Sequence, residues 1–125
     1  MLDFKNAQYL KMHLVNNDTY SKVLSPLLIE DEEIVYSYKS VRDGVVFTTK
    51  RAIAVNVQGV TGKKKSISCL PYKKVQAFEI ESSGVFDLDC ELELYFSNLG
   101  KVRFEFLGNT DVFGICRLIS EEAVR

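Results

Sequence analysis

Apolar residues recur with a period of two from Ile34 to Phe106, and with a period near 3.6 on either side of that span. Within the central span, Ile34, Tyr36 and Tyr38 alternate with smaller or charged residues as far as Val41. Arg42-Asp43-Gly44 then supplies a tight turn, because Asp-Gly tolerates the positive φ of a short hairpin. "VVFTT" (45–49) and "AIAVNV" (52–57) predict the next two strands, joined at Lys50-Arg51. Two more are predicted over 63–70 and 73–82, separated by Pro71, which cannot donate to a ladder. The apolar order slips between Val75 and Phe78-Ile80, which predicts a bulge near Gln76-Ala77.

The last two strands carry the plainest alternation. Cys90, Leu92, Leu94 and Phe96 share one face, and Val102, Phe104 and Phe106 share one face of the next strand. Pairing Phe96 with Val102 puts Gly100 in a left-handed turn position, with Glu93 diagonal to Arg103. The flanks read as helix. Asp3 caps a helix through about Val15, with Phe4, Ala7, Leu10 and Leu14 as its apolar stripe. A second, short helix begins at Asn17 or Asp18 and ends before Pro26. After Thr110, a candidate N-cap, Val112, Ile115, Cys116, Ile119 and Ala123 form a stripe widened by Phe113 and Leu118. Seven strands in succession followed by one amphipathic helix exclude a parallel α/β sheet.

The segments "VRDGVVFTTKRAIAV" (41–55), "VQGVTGKKKSIS" (57–68), "LPYKKVQAFEIE" (70–81) and "DLDCELEL" (87–94), in this order and spacing, resemble the bacterial pleckstrin-homology (PH) domain family. The match spans about 33–107, and the last helix extends it to the C-terminus. Tryptophan is absent, which separates the chain from eukaryotic PH domains with their helical Trp. The resemblance implies a mainly β fold: a bent seven-stranded antiparallel barrel of two near-orthogonal sheets, plugged by the C-terminal helix. Some family members assemble as ring-like homo-oligomers, so a homo-oligomer, ring-shaped in the same way, is what the resemblance implies here. On this reading residues 1–30 are an N-terminal helical extension and 31–125 the PH-like domain.

Charge narrows the partners. Sixteen basic against seventeen acidic residues give a net charge of -1, so attraction to nucleic acid or membrane requires a local patch. Nucleic acid is not expected, because Phe96, Phe104 and Phe106 alternate inward rather than lining a basic face. No apolar run is long enough to span a bilayer and no signal-type h-region opens the chain, so a cytoplasmic location is the expectation.

The densest basic stretch, "VQGVTGKKKSISCLPYKKV" (57–75), fails as a P-loop. Only two residues separate Gly59 from Gly62, Lys63 is followed by Lys64, and no helix follows. A glycine turn between two strands accounts for it. Lys63, Lys64, Lys65, Lys73 and Lys74 still form a candidate anionic-ligand patch, which Lys50 and Arg51 could join; a solvated strand edge is the competing account. His13 is the only histidine, and Cys69, Cys90 and Cys116 fall on core faces without metal-type spacing. No catalytic, cofactor or metal site is expected.

The sequence thus predicts a non-catalytic interaction module that binds protein partners, other copies of itself first among them. The candidate contacts are edge strands over 33–41 and 73–82, through Lys39, Val41, Glu79 and Glu81. The alternative is a peripheral module that binds anionic lipid through the lysines.

Overall fold

The computed structural model describes residues 6–58, 64–82, 89–108 and 110–125. Eight strands form one curled sheet in the order β5-β4-β3-β2-β1-β8-β7-β6. The strands are β1 (Asn6–Val15), β2 (Ile34–Lys39), β3 (Asp43–Thr48), β4 (Arg51–Gln58), β5 (Lys64–Pro71), β6 (Val75–Ser82), β7 (Cys90–Phe96) and β8 (Gly100–Phe106). Helix α1 (Asp18–Leu24) follows β1, and α2 (Val112–Ala123) ends the chain. A 3-10 turn at Tyr72–Lys74 joins β5 to β6. The Tyr72 hydroxyl pins this Pro-Tyr corner by donating to the Thr48 carbonyl at 2.8 Å.

The strands β2 to β8 lie where the alternation puts them, and the slip in β6 is a register shift between Val75 and Ala77. The segment before them differs from expectation. Residues 6–15 are a strand, not a helix. β1 pairs antiparallel with β2 through His13–Val15 and parallel with β8 through Asn6–Met12. A bulge lies between Tyr9 and Met12, where Lys11 takes φ 56°. The extra residue places the buried side chains Tyr9 and Met12 three positions apart, opposite Phe104 and Phe106. That spacing imitates a helix. Of the apolar stripe a helix would have buried, Leu10 is 41% and Leu14 53% exposed.

Three local expectations also shift. Leu94, not Phe96, faces Val102; Phe96 faces Gly100 across Ser97–Leu99, so Glu93 lies directly opposite Arg103. The α2 cap is Asp111 rather than Thr110, its side chain accepting from the Gly114 N–H at 3.0 Å, and Phe113 points to solvent. At Gly44 it is close approach that excludes a side chain, since a Cβ there would sit 2.0 Å from the Tyr20 hydroxyl.

The sheet encloses one core and carries a smaller one outside. Inside, Phe47 of β3 meets Phe104 and Phe106 of β8 edge-on at 5.7 and 5.9 Å, and Tyr9 stacks on Phe104 at 5.5 Å. Ile115 and Ile119 of α2 close this core. Outside, Tyr20 and Leu24 of α1 cover Val46, Ile53 and Val55, so β3 and β4 are buried on both faces. The chain leaving α1 is held by a buried ion pair. Arg51 donates from Nε to Glu32 Oε2 and from Nη2 to Glu32 Oε1, each at 2.9 Å, and to the Leu27 carbonyl at 3.0 Å. Thr48 adds a hydroxyl bond to Glu32 Oε2 at 2.6 Å.

Burial opposes the charge on Glu32, but the bonds from Arg51, Thr48 and the Ile29 N–H outweigh it and lower its pKa. A carboxylate lowered in the folded state stabilises above its unfolded pKa, and this contribution fades as pH falls through the folded value. Glu32→Gln should therefore lower stability by about 3 kcal/mol at neutral pH, because it leaves Arg51 without its countercharge. The loss should shrink in acid; urea titrations at pH 7 and pH 3 measure both.

Cys90 and Cys116 are buried thiols. Burial, then the charges of Asp89 and Glu91, raise Cys90, while burial and the neighbouring Cys90 push Cys116 up to about 11. At pH 8 only about one Cys116 thiol in a thousand is ionised. Alkylation of the native protein should leave both unmodified, and denaturant should expose both to full reaction.

Candidate functional site

The candidate basic residues do not converge. Lys63 lies outside the described residues. Lys64 and Lys65 are exposed at the start of β5, opposite Gln58 and Val57. Lys73 and Lys74 are exposed in the 3-10 turn beyond Pro71. Pro71 is six residues beyond Lys65 along the strand, roughly 20 Å at a strand's rise per residue. Lys50 is engaged with Glu122 at 3.2 Å and Arg51 with Glu32. The polar cleft at this end, of about 670 Å³, sets Lys50, Lys73 and Arg125 against Asp31, Glu121 and Glu122, so its charges balance.

The candidate edge residues divide as well. β6 is a terminal strand, and Glu79 and Glu81 are exposed on it, facing Glu93 and Glu91 of β7. These like charges are offset by Lys101, 3.5 Å from Glu93, and by Arg103, which is bonded to Glu91. β2, by contrast, is no edge. It lies between β1 and β3, because β1 occupies the side that a seven-stranded arrangement leaves open.

Lys39 and Val41 instead border a feature that the sequence did not foretell. A groove of about 880 Å³ lies where β1, the β2–β3 turn and the end of β4 meet. Leu10, Val15, Val41, Val57 and Leu107 supply its apolar lining. Lys11, His13, Lys39 and Arg42 border it as exposed basic residues. Asp43 is the one carboxylate among its lining residues; it accepts from Asn56 Nδ2 at 2.8 Å, and burial raises its pKa despite the opposing charge of Arg42. Val41 is 94% exposed at the tip of the turn between Lys39 and Arg42. The groove exists only because residues 6–15 form a strand. Its one trace in the sequence is an apolar residue set between two bases in a short turn.

The groove can hold an apolar segment or chain and attract negative charge at its margins. Acid–base or nucleophilic chemistry has no such support. His13 is exposed and apart from the cysteines, and among the described residues no group of three or more His, Cys, Asp and Glu could hold a metal ion. No helix among these residues is long and apolar enough to cross a membrane.

The model of the bacterial PH domain family matches residues 3–123. The uncharacterized proteins YjqA and YozO of Bacillus subtilis (strain 168) are 38% identical over 99 residues and 37% identical over 98. Each alignment covers 78% of this chain, with 79% of YjqA and 84% of YozO. Among solved structures, a DUF1696 family protein with a pleckstrin-homology domain from Shewanella loihica PV-4 is similar with a TM-score of 0.76 and 38% identity. That match covers 91% of this chain and 98% of the other. A pleckstrin homology domain from Shewanella amazonensis SB2B gives 0.62 and 43%, covering 87% and 89%. The curled sheet closed by a C-terminal helix and the match over nearly the whole length agree: the chain belongs to the bacterial PH domain family.

Proposed function

We propose that the chain is a non-catalytic interaction module that acts by binding protein, and that its partners include other copies of itself. The groove beside Lys39 and Val41 carries this reading. It joins an apolar lining to exposed apolar and basic side chains, a combination that gains from covering by a partner more than from water. Self-association thus keeps two of its expected residues on new grounds, a groove rather than a strand edge. The terminal strand β6, with Glu79 and Glu81, offers a further place for strand addition, though charged edge residues also discourage unwanted pairing. Native mass measurement at high micromolar concentration should find multiples of the 14.2 kDa chain. A strict monomer under those conditions overturns self-association.

A second reading follows from the same end of the sheet. Lys64 and Lys65, beside Val57, join Lys39 and Arg42 around the projecting Val41, the pattern of an apolar tip among cations that suits an anionic bilayer. Lys73 and Lys74 are at the far end and take no part. Sedimentation with phosphatidylserine vesicles at low salt should fall on Lys64→Glu with Lys65→Glu, and not on Lys73→Glu with Lys74→Glu. No sedimentation of the unmodified chain removes this reading.

A further inference from the structure

We infer that the groove is a strand-addition site, in which an extended acidic segment of another protein pairs with the free edge of β1. The inference rests on the reading of the chain as a protein-binding module, not on self-association, and names the partner's chemistry. It starts from strand lengths, because the β2–β3 hairpin is shorter than both of its neighbours. Lys39, the last residue of β2, pairs with His13, whereas β1 begins seven positions earlier, at Asn6. On the other side Asp43, the first residue of β3, pairs with Asn56, and β4 runs on to Gln58. The sheet is therefore notched at the tip of this hairpin, between β1 and β4.

The groove lies in that notch, and side chains from both faces of the sheet line it. Asp43 and Asn56 stand two positions from Val45 and Ala54, which face the main core. Lys39 pairs with Gly44, against which Tyr20 packs on the outer face. Asp43, Asn56 and Lys39 nonetheless border one groove. It runs past the end of the hairpin, where a further strand would lie, and not over one surface of the sheet.

The backbone sets the form of the occupant. Successive residues of a strand direct their N–H and C=O groups to alternate sides, and β1 spends one side on β8 from Asn6 to Met12. On its other side, among the described residues, β1 pairs with β2 only at His13–Val15. Residues 6–10 thus form a strand edge that an extended chain can join. Side chains set the composition. Leu10, Val41 and Val57 offer apolar contact, and the exposed Lys11 and Lys39 favour carboxylates over bases. Alternating apolar and acidic residues suit both. Width sets the last condition. β1 and β4 are three strand spacings apart, roughly 14 Å, room for an extended chain but not for the packed edge of a folded domain.

The probe is a short, capped synthetic peptide alternating valine and glutamate, with a fluorophore. Its anisotropy with the full chain should show saturable binding that salt weakens, and a peptide with lysine for glutamate should not bind. Hydrogen exchange at the amides of 6–10 should slow in the complex; slowing only at the edges β5 or β6 overturns the assignment. Two further peptides, N-methylated at every valine or at every glutamate, read the pairing itself. One set of amides faces β1 and the other faces away, so one peptide should lose binding and the other keep it. Loss in both or in neither overturns strand addition. Lys11→Glu with Lys39→Glu should weaken the glutamate peptide about tenfold. The same variant should bind the lysine peptide better than the unmodified chain does, which also proves it folded. A variant that holds the glutamate peptide undiminished overturns the assignment. So does an unmodified chain that binds no peptide, while self-association, read by native mass, is untouched.

Discussion

The architecture depends on one strand joining the two halves of a single sheet. β2 and β8 belong to different halves of the molecule, and each would be an open edge without β1 between them. Asn6–Met12 pair parallel with β8 and His13–Val15 antiparallel with β2, so β1 hands over from one half to the other along its length. The bulge at Lys11 lies just before that handover. It also sends Tyr9 and Met12 into the aromatic core, where Phe47, Phe104 and Phe106 tie the halves together from inside. Backbone pairing and core packing thus close the same joint. The groove lies against that joint and takes part of its lining from it.

The sheet also has two unlike ends. At one, the β2–β3 turn presents Lys39, Val41 and Arg42 beside Lys64 and Lys65. At the other, the Arg51–Glu32 pair holds an acidic turn, and Lys50, Lys73 and Arg125 are matched by carboxylates. A net charge near zero conceals this polarity, because it counts charges without placing them.

Strands β2 to β8 were legible because each buries one face or both in simple alternation, and a period of two survives in sequence. β1 was not, because one inserted residue moved its inward side chains from two apart to three, the spacing of a helix. Lys64 and Lys65 look close to Lys73 and Lys74 in the sequence, but an extended strand of eight residues carries the two pairs to opposite ends of the sheet. Gly44 was read as a turn glycine, since nothing in the local sequence announces that Tyr20, on another element, will pack against it. The groove residues Leu10, Lys39, Val57 and Leu107 come from four separated stretches, which no local pattern can join.

The place of β1 in the chain has a consequence for biosynthesis. This strand leaves the ribosome before the other seven, yet much of its pairing is with β8, the last of them. β2 to β5 form neighbouring hairpins and can fold as they emerge, burying Val46 and Ile53 under α1. Tyr9 and Met12 must wait in solvent until Phe104 and Phe106 are made. The nascent chain therefore exposes an unpaired, half-apolar strand until β8 has been made, and this interval is when it is most open to chaperones and to mispairing with a neighbour.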